Sequence, residues 1–419
     1  MFYTVPMIAK SLASSQTVIR TYLTLTVFNT LAASLIWGIN TLFLLDAGLS
    51  ILEAFAANAF FTVGMVLFEI PTGVIADLKG RRLSYLLGTV TLAITTLLYL
   101  ILSWTGAPFI LWAIVSLFLG LGFTFFSGAT EAWLVDALKS TGHKGELDNV
   151  FGKAQVVGGI AMLTGAVSGG IIAQFTNLGV PYLIRVVLLL VTFIVAFVAM
   201  RDLGFSPDKI SSYRQAVSGI LQQSIRYGLK KPAVRWLILA APFTSGVGIY
   251  VFYALQPYLL QLYGDDKAYW IAGLAAAILA LAQVAGGVLV PVIRRMFAHR
   301  TTWLVMSTAI VAGVLIIMGL VSSFWIFVAL VIVTALLNAS MMPIRQTYLN
   351  SLIPSKQRAT VLSFDSLVGS SGGIVSQPVL GKSADLWGYG TSYMIAGVLQ
   401  LGALPFLLLA ARFDSSSRK

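Results

Sequence analysis

The chain has no cysteine and only two histidines, which excludes a disulfide framework and a thiolate metal site. His143 and His299 fall in short polar turns, and no phosphate-binding Gly-Lys-Ser/Thr loop or cluster of metal ligands occurs. Neither an enzyme nor a cofactor is therefore expected, and the energy for any work would come from an ion gradient. Charge is also scarce, with 10% charged residues against 58% hydrophobic ones. A soluble domain of 419 residues has no interior large enough for so much apolar side chain. With a mean hydropathy of +0.90, the composition is that of an all-α integral membrane protein. The net charge of +12 does not point to nucleic acid, because the bases sit in short turns between apolar runs and form no stripe or tail.

At about 20 apolar residues per crossing, spans are expected near 21–45, 51–76, 83–103, 108–138, 150–175, 180–200, 233–260, 268–293, 301–321, 323–349, 359–381 and 389–412. The first twenty residues carry only Lys10 and Arg20 and no cleavage pattern, so an uncleaved first helix is expected. The spans divide the chain into a bundle at 1–200, a linker at 201–231 and a second bundle at 232–419. In the linker, Val217, Ile220, Leu221 and Ile225 recur at helical spacing, which reads as a helix lying on the membrane surface. With both ends cytoplasmic, all but Arg185, Lys267 and Lys382 of the 27 Lys and Arg fall inside, as positive-inside topology requires.

The turn between spans two and three reads EIPTGVIADLKGRR, from Glu69 to Arg82. Gly73 and Asp77, then Lys79, Gly80, Arg81 and Arg82, resemble the signature of the major facilitator superfamily at this place, Gly-x-x-x-Asp-(Arg/Lys)-x-Gly-Arg-(Arg/Lys), with Leu78 at a position usually held by a base. Gly73, Arg81 and Arg82 recur half a chain later as Gly286, Arg294 and Arg295, with Val290 in place of the acid. The resemblance implies twelve helices in two pseudo-symmetric six-helix bundles working by alternating access. Asp77 is expected to face the start of span eleven near Arg358 as a cytoplasmic latch, and Asp136 to brace the basic turn.

In span five, Gly152, Ala161, Gly165, Ala166, Gly169 and Gly170 have the spacing of that superfamily's antiporter motif, with two positions changed to Ala. Small residues there permit close helix approach, with Gly165, Gly169 and Gly170 as helix-packing residues, and by the family's arrangement Gly165 and Gly169 would meet span eight. Ordinary helix packing is the alternative reading. The Arg that many drug antiporters carry in span four is replaced by Ser116.

Polar stripes suggest a cavity wall, with buried helix-to-helix hydrogen bonds as the alternative. They comprise Asn29 and Asn40 with Trp37 in span one, Asn58, Thr62 and Glu69 in span two, and Thr124, Ser127 and Glu131 in span four. Tyr250, Tyr253, Asn338, Met341 and Met342 are candidates for an apolar substrate pocket. Glu69, Glu131, Arg345 and Asp365 lie at one depth, about 10–12 Å from the cytoplasmic helix ends at 1.5 Å per residue. In the family's arrangement they would meet at an inner gate. Three carboxylates around one guanidinium cannot all stay ionised in a poorly solvated place, so one of them, Glu131 before Asp365 and Glu69, is expected to carry the coupling proton. This reading is a proton-coupled drug antiporter in a bacterial inner membrane, a monomer whose partners are a lipophilic or cationic small molecule, protons and the bilayer. A symporter or uniporter for a polar metabolite and a transport-incompetent sensor remain as alternatives.

Overall fold

Twelve membrane crossings follow from eleven long apolar helices, because the last of these, Val361–Arg412, runs for 52 residues and folds back on itself at Gly388, where φ is 81°. The structure, a computed structural model, describes residues 14–207, 218, 222, 225–226, 228–297, 299–353 and 358–413, the side chains of 358–360 excepted. Val217, Ile220 and Leu221 of the expected surface helix and the first thirteen residues lie outside the described residues. Ile225 is on helical backbone and exposed.

Span one comprises Ser15–Trp37 and Asn40–Asp46, span two Ile51–Lys79, span three Arg81–Thr105, and span four Phe109–Thr124 with Ala129–Ser140. Leu147–Phe175 and Gly179–Ala199 complete the first bundle. The second contains Pro232–Tyr263, Trp270–Met296, Arg300–Leu320 and Phe324–Leu352 as spans seven to ten, with spans eleven and twelve at 358–387 and 389–412. Residues whose side chains suit the caps set several boundaries. Ser50 begins span two with a capping box: its hydroxyl accepts from Glu53 N, and Glu53 Oε2 accepts from Ser50 N at 2.9 Å. Glu53 therefore caps the start of span two. Gly80 turns span two into span three at φ 104°, and a Cβ there would collide with the carboxylate of Asp202.

Spans one and four are each broken, against the expectation of continuous helices. Span one is interrupted at Gly38 and Ile39, and span four at Phe125–Gly128, where Gly128 takes a left-handed φ of 66°. The sequence disguises both breaks because the residues around them are apolar or small.

The halves meet away from the basic turn of Lys79 to Arg82. Phe55 of span two packs on Tyr250 of span seven at 4.8 Å between ring centroids. Gln377 Nε2 donates to Thr62 Oγ1 at 3.2 Å, and Trp270 N donates to Gln174 Oε1 at 3.2 Å. Gly170 lies so near span eight that a Cβ would stand 2.7 Å from Gly273 N. Gly165 and Gly169 face elsewhere, which corrects the expectation for them. A Cβ at Gly165 would strike the Ser34 hydroxyl, and one at Gly169 the Leu35 carbonyl, both in span one of the same half. The glycine series thus serves two contacts, one inside the first bundle and one, through Gly170, between bundles.

Candidate functional site

Two adjoining cavities occupy the space between the halves on the side of the basic turn. The outer one, about 1070 Å³, is lined by spans one, three, four, five and eight, and exposed Glu131 and Gln155 reach into it. The deeper one, about 450 Å³, is lined mainly by aliphatic residues with Trp37 and Phe252, and its polar groups include the amides of Gln256, Gln283, Asn338 and Gln400. No described residue lining this inner cavity is charged. Met162, Leu163, Ala280 and Gln283 belong to both walls, so the two cavities adjoin. An apolar chamber of this size with a few amides suits a small lipophilic molecule with one or two hydrogen-bonding groups. Gln400 Oε1 is buried there and unpaired, an acceptor left for a ligand donor.

Several expected wall residues are elsewhere. Asn40 and Asn58 are buried in the first bundle, with Asn40 Nδ2 donating to Asn58 Oδ1 at 2.9 Å and Tyr182 donating its hydroxyl to Asn40 Oδ1 at 3.0 Å. Their helix-to-helix hydrogen bonds replace the cavity reading. Asn29 does line the outer cavity, and the break after Trp37 separates its face from that of Asn40. Thr62 is buried at the contact with Gln377. The stripe of span four is also lost: Thr124 is buried and donates to the Leu121 carbonyl, while Ser127, on the broken segment, donates to Glu69 Oε1 at 2.5 Å. Tyr250 is fully buried, its hydroxyl 2.5 Å from Ser392 Oγ. Asn338 and Met342 line the inner cavity, whereas Met341 packs beside it against Thr308, with Thr308 Oγ1 to Met341 Sδ at 3.8 Å.

The acids do not assemble around Arg345. Its guanidinium donates twice to Asp365, at 2.6 and 2.7 Å, and once to the Leu237 carbonyl at 3.2 Å. Spans seven, ten and eleven of the second half are thereby fastened together, with both side chains largely buried. Glu69 is with Ser127, and Glu131 faces the outer cavity. The expected three-acid gate is therefore corrected to a bidentate pair inside one bundle. At the basic turn, Arg81 lies 3.2 Å from Asp136 and 3.5 Å from Asp77. Arg82 donates its amide to Asp202 Oδ1 at 2.9 Å and its guanidinium to the Phe197 carbonyl at 2.5 Å. Lys79 is exposed, and Gly73 has open space where a Cβ would stand. Asp77 is placed with Arg81, and the side chain of Arg358 lies outside the described residues.

Two residues escape a reading of the sequence. Asp202 directly follows span six, and its signal is an acid beside a run of bases across the same surface. The count of bases by side puts Arg185 outside the membrane, but it is 1% exposed, six residues into span six and flanked by apolar residues on both sides. That flanking is the available signal.

A polytopic protein with two six-helix bundles and cavities between them is built as a transporter. A model of the Major Facilitator Superfamily matches residues 22–376 and 272–419, and the chain belongs to that superfamily; it is a membrane transporter of this kind. It is 23% identical over 384 residues to an uncharacterized MFS-type transporter of Bacillus subtilis (strain 168), YxaM, covering 88% of this chain and 89% of that protein. Among solved structures, the fold is similar to the nucleoside transporter NupG, with a TM-score of 0.74 at 12% identity over 96% of this chain and 99% of that one. It is also similar to a bacterial homologue of the lysosomal transporter Spinster in an inward-facing, occupied conformation, with a TM-score of 0.71 at 16% identity over 94% of this chain and 96% of that one.

Proposed function

We propose that the protein is a proton-coupled antiporter that exports small lipophilic molecules, with Glu131 as the proton carrier. The observation that carries this reading is the adjacency of the two cavities: Glu131 faces the outer one, and the inner one is apolar, with no charge among its described lining residues. A molecule seated in the inner cavity and a proton on Glu131 would thus sit on either side of a shared wall, so that occupancy of one can disfavour the other. The described residues of the inner cavity include no acid to retain a cation, and the reading accordingly narrows to lipophiles. The glycine contact between spans five and eight supplies a close, bare pivot for rocking one bundle on the other. In this reading the basic end is cytoplasmic with both termini, the membrane is the bacterial plasma membrane, the monomer is the working unit, and 201–231 links bundles at 1–200 and 232–419.

Proteoliposomes with an imposed pH gradient test it. Uptake or release of neutral lipophilic dyes should follow the gradient, and Glu131→Gln should abolish gradient-driven flux while dye binding persists. Unchanged uphill transport in Glu131→Gln would remove the proton from this residue.

A further inference from the structure

The wall of the inner chamber is of two kinds. Part of it is exposed, at Gln283 and Asn338 and at the neighbouring Met342. Another part belongs to the interior of the second bundle, where Val247 and Leu255 of span seven and Val311, Leu315 and Met318 of span nine are each 3% exposed or less. The buried polar side chains of the wall are Thr334, Gln256 and Gln400, the two amides each 2% exposed. The Thr334 hydroxyl gives its proton to the Leu330 carbonyl at 2.9 Å, which leaves its oxygen as an acceptor. Gln400, from span twelve, stands out: Oε1 is sealed from solvent without a partner, and neither end of its amide bonds to a described residue. A glutamine that serves packing uses its amide nitrogen, as Gln377 does by donating to Thr62 Oγ1 at 3.2 Å and to the Gly373 carbonyl at 3.0 Å. An apolar side chain of the same length would fill the place of Gln400 without leaving a buried acceptor unpaired, which is unfavourable. The missing element is a donor, and the space beside Gln400 is the chamber that it lines.

We propose that Gln400 is the specificity-determining residue of the inner chamber, its amide oxygen accepting an N–H or O–H from a neutral lipophile whose apolar body lies on the aliphatic wall. The substrates are then lipophiles that carry a hydrogen-bond donor, and molecules of the same shape without one are poor cargo. This rests on the transport reading for its cargo and names the substrate class of that chamber. The last torsion of a glutamine side chain is soft, and because the amide has no bond to a described residue, turning its oxygen towards the chamber breaks none. A site that pairs a buried acceptor with a ligand donor discriminates strongly against the analogue lacking that donor, since the acceptor then stays unpaired.

Carbazole, dibenzofuran and fluorene are three neutral molecules of one shape, with an N–H donor, a weak oxygen acceptor and a methylene at the same place. The test binds tritiated carbazole to the full-length protein in detergent by scintillation proximity and displaces it with each of the three unlabelled. The parent should bind carbazole at least about fivefold more tightly than fluorene, as one hydrogen bond to a buried acceptor requires, and dibenzofuran no better than fluorene. Gln400→Met, which keeps the length and removes the amide, should bind all three alike, and Gln400→Asn, with a shorter reach, should keep part of the preference. Because the Gln400 amide has no partner to orphan, Gln400→Met without ligand should unfold at or above the parent's temperature, whereas a structural amide would lower it. Equal binding of carbazole and fluorene by the parent, an unchanged preference in Gln400→Met, unfolding of that variant well below the parent, or no carbazole binding at all overturns the assignment. The Glu131→Gln flux assay reads separately. A carbazole preference without pH-driven flux would sink antiport and keep the role of Gln400, and pH-driven flux of carbazole and fluorene with equal affinity would do the reverse.

Discussion

In the first half, carboxylates gather at the membrane edge: Asp77 and Asp136 flank Arg81, and Asp202 takes the amide of Arg82. In the second half the corresponding turn has Val290 where the acid would be, and Arg294 donates instead to the Phe297 carbonyl at 3.3 Å. The second half places its ion pair deeper, between Arg345 and Asp365, and adds the Leu237 carbonyl to it. Duplicated topology has thus been secured at two depths. A pair at the edge is wet and contributes little. A pair within the bundle is dry, so its integrity matters far more than its net energy.

The largest effect should come from Asp365→Ala, which leaves Arg345 buried and unpaired and should cost about 3–5 kcal/mol. Thermal unfolding in detergent measures it. Arg345→Met together with Asp365→Leu should recover most of the loss, and a single variant as stable as the parent would erase the distinction between the halves. Next comes Gly169→Leu, which drives a side chain into the Leu35 carbonyl and should cost about 1–3 kcal/mol or more through overpacking within the first bundle. Gly170→Leu sharpens the comparison because its bulk falls between bundles. It should leave the fold intact and lower crosslinking between Gln174→Cys and Trp270→Cys, a clean readout in a chain without cysteine. Undiminished crosslinking would show that Gly170 does not set the distance between spans five and eight. The smallest effect belongs to the membrane edge: Asp136→Asn should cost about 1 kcal/mol or less, again by thermal unfolding. A loss as large as that of Asp365→Ala would make edge and interior equivalent.

The spans, the two halves and the basic turn are legible in the sequence because each rests on local composition: apolar length, repeated glycine and base spacing, and the side on which bases fall. Partners across helices are less accessible. Glu69, Glu131 and Asp365 are similarly spaced from their helix ends in the sequence, yet that spacing leaves azimuth open, and the breaks in spans one and four rotate the residues beyond them. Asn40 would share the cavity face of Asn29 only if Gly38 and Ile39 continued the helix, and they interrupt it. Arg185 is easily misplaced because a charge six residues from a helix start resembles a loop residue until its apolar flanks on both sides are weighed. For the glycines of span five the spacing reveals the bare face but not its partner, and two adjacent positions, Gly169 and Gly170, serve different neighbours.

The breaks have a consequence for water. A helix crossing lipid satisfies its own amides and carbonyls, and an interrupted one releases several that lipid cannot accept. At Phe125 one such carbonyl is taken by the Ser84 hydroxyl at 2.8 Å. Beyond it, Thr130 and Glu131 open onto the outer cavity, and in span one Trp37 and Gly38 open onto the inner one. Both discontinuities therefore lie against a cavity and away from acyl chains. Amide hydrogen exchange should find them as two wet points inside otherwise slow helices, so that the backbone itself records how deep the aqueous path runs.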